Sequence, residues 1–326
     1  MVNDNEQRAL DTLKVGIAQI APVWLDREKT TAKIVDAVHR AADQDCQLVS
    51  FGEALLPGYP FWIERTHGAR FNSLVQKEIH AHYLQQAVQI EAGHLHGVRS
   101  LARELGVAVV LGIIERPGDR GGHSVYASAV TIDQRGHVAS VHRKLMPTYE
   151  ERLTWSAGDG HGLRVHPLKA FTVGTLNCWE NWMPLPRASL YAQGEDLHFA
   201  IWPGSVRNTK DITRFIAKEA RSYVVSVGSL MRGSDFPADA LERERLVGDD
   251  ESAFLADGGS CVSGPDGEWV LEPVAETEGL LVAEIDHARV REERQNFDPV
   301  GLYSRPDVTQ LTVDRRRQST LILRDE

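Results

Sequence analysis

Cys178 stands in Gly174-Thr175-Leu176-Asn177-Cys178-Trp179-Glu180-Asn181-Trp182-Met183-Pro184, directly behind the apolar run 171–176. A strand that ends in a sharp polar turn holds one side chain out into a cleft, as nucleophile elbows do. Cysteine gains most from that position. Its thiolate is a strong nucleophile and becomes available near neutral pH when a positive charge or a base is close. Two other stretches can supply such partners: Phe51-Gly52-Glu53-Ala54-Leu55-Leu56-Pro57-Gly58-Tyr59-Pro60 and His142-Arg143-Lys144-Leu145-Met146-Pro147-Thr148-Tyr149-Glu150-Glu151-Arg152. Glu53 ends an apolar run, where an unpaired carboxylate is costly. Singly, Cys178 reads as a buried structural cysteine and Lys144 as a surface lysine. The three stretches together point to chemistry.

Each stretch follows a predicted strand. Residues 13–21 read as a buried strand, and Asp26 as the cap of a helix over 27–42. The next strand, 45–51, delivers Glu53 at its C-terminal end, which is where open α/β sheets build their sites. Pro57-Gly58-Tyr59-Pro60 breaks into a loop. Helices are predicted over 72–90 and 93–105, and an apolar strand over 107–115. Strands at 124–133 and 137–142 follow, the second feeding Lys144, and 171–177 feeds Cys178. Further buried strands are predicted at 197–202 and 223–230, with a helix over 211–221 between them. Short strands near 252–256, 260–263, 269–272 and 279–284 are separated by turns such as Asp257-Gly258 and Asp266-Gly267. The tail from Val308 to Leu323 has β character. Helices and strands mix throughout 326 residues without a repeat or linker, so the fold class is α/β, with a two-sheet sandwich flanked by helices as a plausible form.

Bulk properties exclude several functions. The net charge of −10 argues against general affinity for nucleic acid or an anionic membrane. Arg315-Arg316-Arg317 is short and flanked by Asp314, and reads as solvated surface. Three cysteines form no disulfide framework, and Cys46 and Cys261 read as small buried hydrophobes. Without a leader or a long apolar run, the expectation is a cytoplasmic protein. No metal site is expected. His80 and His82 fall on opposite faces of a helix, as do His94 and His96 if helical, and no paired-cysteine or His-Glu-x-x-His spacing occurs. Gly118, Gly121 and Gly122 open no helix, so a phosphate loop is not expected either.

The three stretches together resemble the nitrilase superfamily of carbon–nitrogen hydrolases, whose triad is Glu, Lys and Cys in that chain order. The matching residues are Glu53, Lys144 and Cys178, and the likeness runs from Val15-Gly16-Ile17-Ala18-Gln19 to Tyr303-Ser304-Arg305-Pro306-Asp307. Cys-Trp-Glu followed by Asn and Met-Pro-Leu looks like the nitrilase branch. The resemblance implies a four-layer αββα sandwich over residues 13–307, a loose N-terminus over 1–12 and a tail over 308–326 in oligomer contacts. It also implies a second glutamate seven residues after the lysine, here Glu151, no cofactor, and a homo-oligomer built from dimers.

On that reading Cys178 attacks a nitrile carbon while Glu53 takes the thiol proton. Lys144 supplies a fixed positive charge, and Glu151 orients it. The backbone N–H of Trp179 is the expected oxyanion donor. Substrate contacts are expected from Tyr59, Trp179 and Trp202, although Tyr59 and Trp202 read equally well as core packing. The expected activity is hydrolysis of an organic nitrile by water to acid and ammonia. Alternatives are an amidase with the same triad, a cyanide dihydratase, or a non-catalytic scaffold. Asn181, where cyanide-processing relatives often carry His, lowers the cyanide reading.

Overall fold

In the computed structural model, which describes residues 10–321 and residue 324, thirteen strands form two sheets. The strands are β1 (Thr12–Gln19), β2 (Leu48–Phe51), β3 (Ala108–Glu115), β4 (Tyr126–Ile132), β5 (Val138–Arg143), β6 (His166–Leu168), β7 (Phe171–Asn177), β8 (Leu197–Trp202), β9 (Tyr223–Gly228), β10 (Leu230–Arg232), β11 (Phe254–Ser263), β12 (Trp269–Ala275) and β13 (Gly279–Asp286). The first sheet has the order β13-β1-β2-β3-β4-β5, and the second β10-β11-β9-β8-β7-β6 with β12 added on β11. The parallel cores are β1-β2-β3 and β7-β8-β9. Antiparallel strands flank both.

Helices are α1 (Arg27–Asp43), α2 (Trp62–Arg65), α3 (Leu74–Gln86), α4 (His96–Leu105), α5 (Pro184–Tyr191), α6 (Val206–Ala220), α7 (Arg243–Val247) and α8 (His287–Arg294). Alternation along the strands explains the layering. Leu13, Val15 and Ile17 of β1 point inward and meet Val173, Phe199, Ile201, Val225 and Val227 of the other sheet. On the outer face of the first sheet, Val49, Phe51, Val109 and Leu111 pack against Ile34, Val38, Val98 and Leu101 of α1 and α4. On the outer face of the second, Ala200, Trp202 and Val224 meet Ile212, Ile216 and Ala220 of α6. The result is the αββα sandwich.

Several boundaries differ from expectation for identifiable reasons. The helix predicted over 72–90 stops at Gln86, because Val88 leaves it to pair beside β3. The predicted strand at 223–230 divides into β9 and β10. The turn expected at Asp257-Gly258 is instead a bulge within one long strand, β11. There Gly258 and Gly259 take φ of +88° and +81° and the register with β12 shifts. The tail forms no strand over its described part, 308–321. Val313 packs beside Leu145, Leu163, Leu176 and Leu190, and Arg317 pairs with Asp159 at 3.0 Å. Of the loose N-terminus expected over 1–12, residues 1–9 lie outside the described residues, and Thr12 already belongs to β1.

Candidate active site

Glu53, Lys144 and Cys178 converge where the ends of β2, β5 and β7 meet. Glu53 stands two residues beyond β2, and its N–H donates to Trp202 C=O at 3.0 Å, across to the end of β8. Backbone crowding there requires glycine. A Cβ on Gly112 would lie 2.1 Å from Gly52 O and 2.7 Å from Glu53 Cα. Lys144 follows β5 directly and keeps one more backbone bond to β4, from its N–H to Ala127 C=O at 2.8 Å.

Cys178 opens a 3-10 turn, Cys178–Trp182, immediately after β7. Its φ of +47° lies in the left-handed region, which few non-glycine residues occupy. The surroundings hold it there. Asn181 Nδ2 donates to Cys178 C=O at 2.8 Å, and Asn181 Oδ1 lies 2.7 Å from His198 Nε2. His198 Nδ1 lies 2.8 Å from Glu195 Oε1. All three supporting residues are fully buried.

The charged groups form one connected set. Lys144 Nζ lies 3.0 Å from Glu53 Oε1 and 2.7 Å from Glu151 Oε2, with none of the three exposed beyond 2 %. Glu151 sits in the 3-10 turn Tyr149–Leu153 and also accepts from Thr148 N–H at 2.6 Å and Tyr59 OH at 2.9 Å. Glu53 has only the ion pair with Lys144, and neither of its oxygens takes a well-directed hydrogen bond from the described residues. The Cys178 sulfur and one oxygen each of Glu53 and Glu151 lie within 4.8 Å of one another. Two carboxylates and a thiol are donor types that can hold a cation. The cation that meets both carboxylates here is the ammonium of Lys144.

Burial pushes the Glu53 carboxyl up to about 8. Lys144 opposes that shift and Glu151 adds to it. Burial likewise raises the Cys178 thiol, with Lys144 opposing and Glu53 and Glu151 adding. Burial works against the charged form of Lys144, but Cys178, Glu53 and Glu151 outweigh it and raise its pKa. The resting site therefore holds a fixed cation, a carboxyl raised to about 8 and a thiol raised above its ordinary range. This combination suits proton transfer coupled to nucleophilic attack.

The remaining expected residues fall into different places. The backbone N–H of Trp179 lies beside the Cys178 thiol and lowers its pKa slightly, while Trp179 itself is 55 % exposed. Tyr59 is half-buried, stacks edge-on against Trp155 at 5.5 Å and reaches Glu151. Trp155 in turn lies under Lys144, 5.3 Å from its ring centroid to Nζ. Trp202 is fully buried on the helix side of its sheet, with its N–H on Ser226 Oγ at 3.2 Å, so it packs beneath Cys178 instead of lining a cleft. Sequence reasoning did not assign roles to His142, Asn181, Glu195 and His198, or a structural role to Glu180. For Glu180 a signal existed, because Asn177-Cys178-Trp179-Glu180 has capping-box spacing.

Residues 14–295 match the family model described as carbon-nitrogen hydrolase. A protein named Nitrilase 2, from an unknown prokaryotic organism, is 34% identical over 95% of this chain and 95% of its own length. An aliphatic nitrilase of Rhodococcus rhodochrous is 32% identical over 94% of this chain and 84% of its own. The crystal structure of a carbon-nitrogen hydrolase from Helicobacter pylori shares the fold, with a TM-score of 0.64 at 20% identity, covering 91% of this chain and 96% of that one. The family match takes in every strand that delivers Glu53, Lys144 and Cys178, and so this chain belongs to the carbon-nitrogen hydrolase family.

Proposed function

We propose that the protein is a nitrilase that converts an organic nitrile to the carboxylic acid and ammonia. The observation that carries this reading is the buried ammonium of Lys144 bonded to two carboxylates beside the Cys178 sulfur. The relatives named as nitrilases, matched over nearly the whole chain, support it.

The chemistry follows from the groups in place. Glu53 takes the thiol proton as Cys178 Sγ bonds to the nitrile carbon and passes it to the nitrile nitrogen, giving a thioimidate. Water then adds to the C=N carbon, its two protons pass through Glu53 to the nitrogen, the C–N bond breaks as the C=O of the thioester forms, and ammonia leaves. The remaining thioester is hydrolysed by a second water, activated by Glu53, to release the acid and the free thiol. Lys144 and the Trp179 N–H stabilise negative charge as it forms, and one such donor is worth roughly 3–4 kcal/mol. Glu151 keeps Lys144 in place. Expulsion of the thiol from the tetrahedral intermediate would give an amide instead. The carbon keeps its oxidation level throughout, so the sequence requires no redox partner.

The test is ammonia release from aliphatic, arylaliphatic and aromatic nitriles and their amides, with Cys178→Ala alongside. Release from nitriles that disappears in the variant supports the reading. Release from amides alone replaces it with an amidase. The same reading carries a homo-oligomer in the cytoplasm; the apolar side chains Trp182, Leu185 and Phe215, each at least half exposed, support the oligomer. Among the described residues no helix is long and apolar enough to cross a membrane. Light scattering of the purified protein tests the oligomer, and a purely monomeric mass would refute it.

A further inference from the structure

Lys144 and Cys178 come from different sheets, so something must fix the distance between them. Glu180 spans that gap. Its Oε1 accepts the N–H of Leu145 at 2.7 Å, one residue after Lys144. Its Oε2 accepts the N–H of Asn177 at 2.9 Å, one residue before Cys178. His142 Nε2, on β5 two residues before Lys144, lies 3.1 Å from both oxygens. The Glu180 side chain is fully buried and that of His142 is 2 % exposed, so no solvent molecule competes for these bonds.

The carboxylate form is the one the site needs. Two backbone N–H groups, one from each sheet, and an imidazole N–H all require an acceptor, and an ionised carboxylate is acceptor only. Burial favours the protonated acid, but His142 and the two N–H groups outweigh it and hold the carboxyl below its ordinary range.

We propose that Glu180 is a positioning residue that staples the two sheets at the site and so sets the distance from the Lys144 ammonium to the Cys178 sulfur. Lys144 is the main group working against the effect of burial on the thiol, and its influence falls with separation. A displacement of about 1 Å in such a site can cost about a hundredfold in rate. Glu180 itself touches neither reacting group. The inference rests on Glu53, Lys144 and Cys178 being the reacting set, and it is separable from the identity of the substrate.

Glu180→Gln tests this, because an amide nitrogen cannot accept from either backbone N–H. Glu180→Asp keeps the charge but is one methylene too short to reach both. The readout is the pH profile of Cys178 alkylation by iodoacetamide, followed by peptide mass spectrometry, together with kcat and KM per folded molecule. In Glu180→Gln the alkylation midpoint should move to higher pH, and kcat should fall by about tenfold or more with little change in KM. Glu180→Asp should shift both in the same direction by less. A purely structural cap would lower the melting temperature and leave both profiles of the folded molecules unchanged, and that outcome overturns the proposal. If Glu180→Gln does not fold, Glu180→Asp decides alone. Alkylation needs no nitrile, so a chain that hydrolyses none of them would sink the nitrilase reading and leave this test intact.

Discussion

Lys144 Nζ lies 2.7 Å from Glu151 Oε2 in a pocket from which both side chains exclude solvent. The pair is one arm of a fork whose other arm is Glu53 at 3.0 Å. The arms are not equivalent. Glu151 accepts from Thr148, Tyr59 and Lys144, whereas among the described residues Glu53 has only the lysine. A carboxylate with several donors is a holder, and one with a single partner is free to take a proton. The asymmetry supports the base role proposed for Glu53 and the orienting role proposed for Glu151.

Removing the shared cation tests the fork. Lys144→Met leaves two buried carboxylates facing each other without a counter-charge. Breaking a buried pair this way costs about 3–5 kcal/mol. The expected outcome is a large drop in melting temperature together with loss of ammonia release. A variant as stable as wild type at pH 9, where Glu53 is ionised in wild type, would mean that Lys144 does not hold the carboxylates.

Glu53 makes a prediction with a definite sign. Its folded-state pKa is raised from an ordinary 4.5 to about 8. A raised carboxyl binds its proton more tightly in the folded state. Its contribution to stability is therefore fully present below pH 4.5 and lost as pH rises through about 8. Glu53→Gln has no such group, so its melting temperature should gain on wild type as pH rises through that window. In parallel, wild-type kcat/KM should rise with pH as Glu53 loses its proton, and the variant should be inactive throughout. A constant difference in melting temperature from pH 5 to 9 would show that Glu53 titrates normally.

Much of this was legible in the sequence because parallel strands buried on both faces read as apolar runs. The run ending at Phe51 pointed to Glu53, and the run over 171–176 pointed to Cys178. The strands 171–177 and 197–202 have the predicted bounds. The pairing of Glu180 with His142 joins residues 38 apart, one in the turn after β7 and the other on β5 of the other sheet, and no local pattern encodes such a contact. Trp202 stayed ambiguous for a related reason. Period-two alternation tells that a strand has two faces, and only the packing of α6 shows that the indole faces the helix layer. The short helices α2, α5, α7 and α8 carry too few turns to leave a periodic signal.

Tyr59 should tune the holder without being essential. Its phenol is pushed well above its ordinary pKa by burial and by Glu151, so it stays protonated and donates to Glu151 at 2.9 Å. Tyr59→Phe removes that bond and keeps the ring against Trp155. A hydrogen bond to a charged group is worth about 1.5–3 kcal/mol. The expected result is a fall in kcat of about tenfold to a hundredfold, with KM changed less. Steady-state kinetics on the best nitrile would check it, and a rise in KM alone would place Tyr59 among the substrate contacts instead.

Gly112 connects the fold to the site through backbone alone. It lies in β3, next to the strand that presents Glu53, and an added Cβ would fall 2.1 Å from Gly52 O and 2.7 Å from Glu53 Cα. Neither neighbour is a flexible side-chain tip, so relief requires the Glu53 segment to move away. That segment is tied to the second sheet by the Glu53 N–H to Trp202 bond, so the movement would be resisted or the bond lost. Gly112→Ala should therefore lower both stability and activity. Gly97 in α4 is the control, because an added Cβ there meets nothing within 4 Å. Gly97→Ala should stabilise by about 0.5–1 kcal/mol and leave activity unchanged. Melting curves and ammonia release of the two variants side by side would separate a steric effect on Glu53 from a general sensitivity to alanine. Full activity in Gly112→Ala would mean that the β3 backbone does not constrain where Glu53 sits.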